Sequence, residues 1–304
     1  MNKNKEQIQS EWLKKADLLT ETLPFMKRYA NKVIVVKFGG NAMGKKEYIS
    51  SFSEDIVLLQ QVGMLPIVVH GGGPQIGEML SKLKIRTEFI DGLRVTDSAT
   101  IDVVEMVLSG VTNKSIVTAI SNAGAKAVGI SGKDGNLITA KRLMKMDKNS
   151  DSNVERAIDL GFVGVPEKID PQVIKALINE KMIPVIAPVG MGEDGLTYNI
   201  NADTAAGAIS ASMKASRMIM LTDVSGVLDK NRKLIPELTI NEALALIKDK
   251  VVVGGMIPKL RTCIDAVEGG AEASVIMDGT IPHSLLLELF TEHGVGTIIR
   301  KNQS

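Results

Sequence analysis

"KVIVVKFGG" (residues 32–40) places four β-branched residues ahead of a lysine, a phenylalanine and two glycines. A run this apolar, with no polar residue on alternate positions, reads as a strand buried on both faces. Such strands belong to parallel sheets covered by helices. The form recurs in "MLPIVVHGGG" (64–73), "AKAVGISGKDG" (125–135), "MIPVIAPVGMG" (182–192), "RMIMLTDVSGV" (217–227) and "ASVIMDGT" (273–280). Helical segments fit between them at 48–62, 75–83, 98–122, 171–179, 203–214 and 258–268. The reading is an α/β fold with an open, mainly parallel central sheet sandwiched between helix layers. Ligands of such sheets bind beyond the carboxyl ends of the strands. The glycines gather at those ends, so the active site is expected there.

Two segments break the rhythm. Residues 85–97 ("IRTEFIDGLRVTD") and 145–170 read as hairpin-like excursions, suited to a lid or a substrate wall. Ahead of the first strand, Ile8, Trp12, Ala16, Leu19, Leu23 and Met26 recur every three or four residues. That is a helical stripe with an apolar face, packed either on its own domain or on another subunit. Pro24 lies within it and is expected to kink or break it. A coarse division gives an N-terminal helix (1–30), an N-terminal lobe (31–200) and a C-terminal lobe (201–304).

The 304 residues are 44% hydrophobic, enough for one large or two modest cores. A net charge of +1 gives no bulk attraction to nucleic acid. A single cysteine, Cys263, excludes a disulfide framework within the chain and reads as helix core. Three histidines and one cysteine make a structural zinc site improbable. The polar start is neither a secretory signal nor a transit peptide, and no apolar run is expected to reach membrane-spanning length. A cytoplasmic protein is the default expectation, with no membrane and no nucleic acid as partner.

The glycine turns fit neither standard nucleotide motif. In "GGGPQIGEML" Gly77 follows Gly73 by four, one too many for the dinucleotide fingerprint, and no Walker pattern occurs. The turns retain free N–H groups at helix starts, which bind phosphate or carboxylate. Lys37 ends a buried strand, where an ammonium is costly without an anion or acid. Alone it also reads as a strand-end lysine reaching water. Lys259 lies just inside a helix start, against the helix dipole, which argues for an anionic partner. Asp203 opens a helix and alone reads equally as a cap. Taken together they suggest a site for several negative charges, with two lysines oriented by a carboxylate. Such a site suits phosphoryl transfer, whose catalysis is mostly positioning and charge stabilisation.

"VVKFGGNAM", "VVHGGGPQI", "GLRVTD", "YNINADTAA", "LTDVSGVL" and "GGMIPKL" occur in this order over residues 32–300. Together they resemble the amino acid kinase family, in the branch that phosphorylates N-acetyl-L-glutamate. The resemblance implies transfer from ATP to the γ-carboxylate, giving an acyl phosphate in arginine biosynthesis. By position, Lys37 contacts the transferring phosphoryl group, Lys259 stabilises the leaving ADP, and Asp203 orients both. Gly39, Gly40 and Gly72 donate N–H groups to phosphate, and Gly72 and Gly73 hold the acetylglutamate side. Arg94 forks onto a substrate carboxylate, Asn199 binds the α-substituents, and Thr222 and Asp223 border the nucleotide. Mg2+ is expected to arrive with ATP, since no carboxylate cluster would hold it unaided. A carboxylate nucleophile is already ionised at neutral pH. His70 is therefore expected to support the glycine loop rather than act as a base. Rival readings are a kinase for glutamate, aspartate or carbamate, or a non-catalytic amino-acid sensor of this fold. A dinucleotide oxidoreductase fails on the glycine spacing.

Some family members are arginine-inhibited hexamers with an extra kinked N-terminal helix. Residues 8–29 and "HSLLLELFTEHGVGTII" (283–299) resemble them. The resemblance implies that Glu288 binds an arginine guanidinium, with Gly294 and Tyr29 lining the pocket. Sensitive relatives often carry His where this chain has Val275. Some members also bind a nitrogen-signalling protein, which no residue here decides.

Overall fold

The computed structural model describes residues 2–147 and 156–302. In chain order the strands are β1 (Val33–Phe38), β2 (Leu65–His70), β3 (Phe89–Ile90), β4 (Leu93–Arg94), β5 (Ala127–Ser131), β6 (Ile138–Asp147), β7 (Arg156–Ile169), β8 (Ile183–Ala187), β9 (Val189–Gly192), β10 (Thr197–Ile200), β11 (Arg217–Thr222), β12 (Glu237–Thr239), β13 (Ala273–Asp278) and β14 (Thr297–Arg300). The helices are α1 (Asn2–Tyr29), α2 (Lys46–Gln61), α3 (Gly73–Lys82), α4 (Ser98–Glu105), α5 (Asn113–Asn122), α6 (Gln172–Asn179), α7 (Ala202–Ser212), α8 (Ile240–Lys248), α9 (Met256–Glu268) and α10 (Ser284–Phe290).

An 8-stranded sheet runs β12-β14-β13-β11-β1-β2-β8-β5. From β13 to β5 every neighbour is parallel, and β14 turns antiparallel to β13 at one end. The alternation of side chains along each strand explains the continuous apolar runs. Val35, Ile67, Val69, Met218 and Met220 face the layer of α7 and α9, meeting Ala206, Ile209, Leu260 and Ile264. Ile34, Val36, Phe38, Val68 and Ile219 face the layer of α2, α5 and α10, meeting Ile56, Leu59, Ile116, Ile120 and Leu289. In that second layer Phe38 stacks on Phe52 with ring centroids 3.9 Å apart. Truncating a buried phenylalanine to alanine at such a site costs about 3–5 kcal/mol. Cys263 is buried in α9, where burial pushes its thiol up.

The excursions resolve into short strands. Residues 89–94 form a hairpin whose turn residues, Asp91 and Gly92, have φ of 48° and 79°. That is the twist-matched two-residue turn that Asp-Gly favours. The second excursion begins earlier than expected, at Ile138: β6 and β7 pair antiparallel and close with β9 and β10 into a small barrel. Residues 148–155 of that excursion lie outside the described residues. The run 182–192 splits after Ala187, so β8 stays in the main sheet while β9 joins the barrel.

Two expectations need correcting, and one element is new. One helix runs from Asn2 to Tyr29 with Pro24 inside it, so the proline does not break the helix. Its last turn packs Phe25, Met26 and Tyr29 on the second layer, whereas Trp12, Leu13, Leu18, Leu19 and Leu23 are exposed. Helix 98–122 is 25 residues long with mean hydropathy 1.3 over its most apolar window, so one run does reach membrane-spanning length. Its apolar face is instead spent inside the domain, burying Val103, Val104, Val107, Leu108, Ile116 and Ile120. α8 was not expected. It starts on a capping box in which Thr239 and Glu242 each satisfy the other's backbone N–H.

Candidate active site

β1 and β2 end side by side, and their glycine turns almost touch. The Gly71 N–H donates to the Phe38 carbonyl at 2.8 Å. A Cβ on Gly39 would lie 3.1 Å from both Gly71 N and Lys37 Nζ. A Cβ on Gly72 would lie 2.5 Å from Leu108 Cδ2. Side chains are absent here because the backbones of two turns and the helix 98–122 converge. Gly72 then serves as N-cap of α3, with Pro74 in the first turn, where its missing N–H costs nothing.

The lysines and the carboxylate meet at this point. Asp203 lies 3.1 Å from Lys37 Nζ through Oδ1 and 2.8 Å from Lys259 Nζ through Oδ2. The side chains are 9% (Lys37), 14% (Asp203) and 24% (Lys259) exposed, so the group is a largely desolvated triad. Burial pushes the Asp203 carboxyl up, but the two ammonium groups outweigh it and hold it below the usual carboxylate range. Asp203 is not the cap of α7. Asn201 takes that place, accepting from the N–H groups of Asp203 and Thr204. The cap reading therefore falls to Asn201, and the Asp203 carboxylate is left for the lysines.

A cleft of about 300 Å³ opens over the triad. It brings together Lys37, Gly40, Gly72, Gly73, Arg94, Asn199, Asp203 and Lys259, with an apolar side that includes Leu108, Val163 and Pro188. Arg94, buried on β4, donates to Thr87 Oγ1 and to the Gly73 carbonyl, both at 3.0 Å, and its guanidinium lies 4.5 Å over the Phe89 ring. Asn199 on β10 donates to Thr96 Oγ1 at 3.4 Å. Gly39 sits against Lys37 just outside the lining. Thr222 and Asp223 end the neighbouring strand β11 and do not line the cleft; the Thr222 hydroxyl donates to the Asp223 carboxylate at 3.2 Å. His70 is buried beneath the glycine turn with Nδ1 2.8 Å from the Gly71 carbonyl, and burial lowers its pKa to about 4. A neutral imidazole facing the backbone is no base for the cleft. Three cationic side chains face the cleft against one carboxylate. The arrangement suits a multiply charged anion held beside a smaller apolar group.

Tyr29, Glu288 and Gly294 fall elsewhere, in a cavity of about 320 Å³ that Arg217, Glu237 and Arg300 also line. The Glu288 carboxylate accepts the N–H groups of Val295 at 2.8 Å and Gly296 at 3.1 Å. Burial still raises its pKa, and those bonds only moderate the effect. Arg217 is buried against the Tyr29 ring at 5.2 Å and donates to the Ser216 carbonyl. Among the described residues no carboxylate pairs with it directly. Sequence reasoning passed over Arg217 because it opens a strand that reads as core.

Residues 32–278 match the Amino acid kinase family. The chain is 60% identical over 297 residues to the acetylglutamate kinase of Gluconobacter oxydans, covering 98% of this chain and 99% of the relative. It is 58% identical over 297 residues to that of Rhodospirillum rubrum, covering 98% and 96%. Among solved structures, N-acetylglutamate synthase from Neisseria gonorrhoeae, complexed with coenzyme A and N-acetyl-glutamate, superposes with a TM-score of 0.82 at 23% identity, over 95% of this chain and 64% of that one. Carbamate kinase from Giardia lamblia bound to AMP-PNP gives 0.62 at 20% identity, over 90% and 100%. Those two likenesses speak for the fold alone. With the parallel sheet, the paired glycine turns and the family match over most of its length, this chain belongs to the amino acid kinase family.

Proposed function

We propose that this protein transfers the γ-phosphoryl group of ATP to the γ-carboxylate of N-acetyl-L-glutamate, in arginine biosynthesis. The observation that carries the reading is the Lys37–Asp203–Lys259 triad under a cleft rich in glycine N–H groups and cation. The relatives' names select the substrate within the family. In this reading Lys37 holds the phosphoryl group in transit and Lys259 the leaving phosphates. Asp203 fixes both ammonium groups so that they need no rearrangement as charge develops. Gly39, Gly40 and Gly72 offer backbone N–H groups to the same oxygens. Arg94 and Asn199 hold the amino-acid end, and the apolar lining receives the acetyl methyl. Thr222 and Asp223, one strand over, border the nucleotide. On this division residues 31–200 bind acetylglutamate and residues 201–304 bind ATP. Mg2+ comes with the nucleotide, bound by its phosphates; among the described residues no three His, Cys, Asp or Glu side chains converge.

ATP and acetylglutamate, with hydroxylamine trapping of the acyl phosphate, test this directly. Hydroxamate is expected with acetylglutamate and not with glutamate, aspartate or carbamate. Product from one of those instead would transfer the reading to another kinase of the family. No product from any would favour a non-catalytic sensor.

We further ascribe feedback inhibition by L-arginine to the second cavity. Among the described residues Glu288 has no directly bonded cation and feels Arg217 and Arg300 only at a distance, while the buried Arg217 has no direct carboxylate partner; the two in one cavity suit a zwitterion with a cationic side chain. The exposed apolar stripe of α1 supports assembly through that helix into a cytoplasmic homohexamer. Mass in solution tests it: a species no larger than a dimer would remove the assembly claim.

A further inference from the structure

Under the cleft lies a polar network that no step of the proposed chemistry uses. Asn113, fully buried in α5, directs its side-chain amide nitrogen to three acceptors: His70 Nε2 at 3.1 Å, the Val185 carbonyl at 2.9 Å and the Ile130 carbonyl at 3.3 Å. An amide NH2 can only donate, so His70 Nε2 must accept. The imidazole proton therefore sits on Nδ1, which faces the Gly71 carbonyl at 2.8 Å. Lys114, next to Asn113, anchors the amide oxygen at 3.1 Å and donates to the Gly129 carbonyl at 2.9 Å. The amide is thus oriented from both ends.

The consequence appears one bond further on. In a trans peptide the C=O and the next N–H point in opposite directions. Clamping the Gly71 carbonyl down onto His70 turns the Gly72 N–H up, into the cleft. Among the described residues that N–H meets no acceptor. The helix that delivers Asn113 is also unusual. Residues Met106–Thr112 form a π-turn between α4 and α5. In a regular helix five residues turn by ~500°, leaving Leu108 and Asn113 ~140° apart. The wider π-turn brings residues five apart onto one face. Leu108 then closes over Gly72 while Asn113 reaches beneath it.

We propose that Asn113 and His70 are positioning residues: they lock the Gly71–Gly72 peptide so that the Gly72 N–H is aimed at the reacting oxygens before substrate arrives. The importance of that N–H rests on the kinase reading above; the lock itself does not.

The test therefore has two readouts. In full-length chain carrying 15N-labelled histidine, His70 is expected to show the neutral Nδ1–H tautomer from about pH 5 to about pH 8. Only three histidines are present, so its signals are separable. In Asn113→Ala the Nε2 resonance should shift as its donor is lost. In the hydroxamate assay Asn113→Ala and His70→Ala should lower kcat by about 10–100-fold, with KM for acetylglutamate changed by less than about threefold. His70→Asn, whose amide nitrogen takes the place of Nδ1, should recover part of that loss. A neutral Nε2–H tautomer in the wild type overturns the proposal, as does a folded Asn113→Ala with wild-type kcat. If Asn113→Ala does not fold, the wild-type tautomer and the His70→Asn against His70→Ala comparison still decide it. A wild-type chain with the Nδ1–H tautomer and no hydroxamate would instead overturn the kinase reading and leave the lock standing.

Discussion

Two half-buried carboxylates, in two cavities of similar size, lean in opposite directions. Asp203 lies between two ammonium groups and is held ionised more firmly than in water. Glu288 is bonded to two backbone N–H groups and feels Arg217 and Arg300 only at a distance, so burial still pulls it toward the neutral acid. Burial penalises both charges, and the difference is the partner. A carboxylate whose cations are built in leaves the surplus positive charge of its cleft for an anion. One without a directly bonded cation leaves room for a cationic ligand, whose arrival would stabilise its charged form.

The largest effect should come from breaking the first arrangement. Lys37→Met keeps most of the volume at the end of β1 and removes one ammonium from the triad. If that ammonium acts on charge that develops during transfer, kcat falls by about 10²–10³-fold while KM for acetylglutamate moves only a few-fold. Equal losses in kcat and affinity would mean that Lys37 binds ground state and transition state alike, which contradicts its assignment. Hydroxamate formation at saturating and limiting acetylglutamate separates the two.

The second cavity should respond in ligand affinity. Glu288→Gln keeps the shape and removes the charge. Losing one side of a buried charge pair costs about 2 kcal/mol or more, roughly 30-fold in the arginine concentration that half-inhibits the enzyme. Calorimetric titration with L-arginine gives the same quantity without an assay. Unchanged arginine affinity would leave Glu288 a structural carboxylate that only ties residues 288–296 together.

Much of the sheet is legible in the sequence because burial on both faces writes itself as unbroken runs such as 33–36. The triad is legible as well, since its two lysines are misplaced on ordinary propensity, at a buried strand end and a helix start. The barrel strands β9 and β10 are not. They are four residues each, β9 is half glycine, and their pairing with β6 and β7 depends on contacts far away in the chain. The π-turn leaves no mark in "MVLSGVT", and Asn113 looks like any polar residue on a helix until its three acceptors are seen. Pro24 marks no helix end, since α1 continues past it to Tyr29. The overlooked α8 did carry a readable signal, the Thr239–Glu242 spacing.

A third carboxylate, this one fully buried, sharpens the comparison with the smallest effect. Asp55 on α2 is 3% exposed and lies 2.6 Å from His283 Nδ1, at the residue that precedes α10. Among the described residues it thus has one side-chain partner, and a titratable one. Burial raises its pKa from 3.8 to about 6, while the bonds from His283 and the Leu285 backbone oppose the rise and nearby Glu54 adds to it. The folded protein therefore binds this proton more tightly than the unfolded chain does. The resulting stabilisation is fully present below about pH 4 and is lost as pH rises through about 6. A gap of about 2 units corresponds to at most about 3 kcal/mol, and the half-exposed histidine reduces that to about 2. Asp55→Asn cannot titrate. The stability of wild type relative to Asp55→Asn should fall by about 2 kcal/mol between about pH 4 and about pH 8, in urea titrations at one protein concentration. A difference independent of pH would mean that His283 holds Asp55 ionised throughout. One imidazole would then do for a buried carboxylate what Asp203 draws from two lysines, and partner number would no longer explain why Glu288 and Asp203 differ.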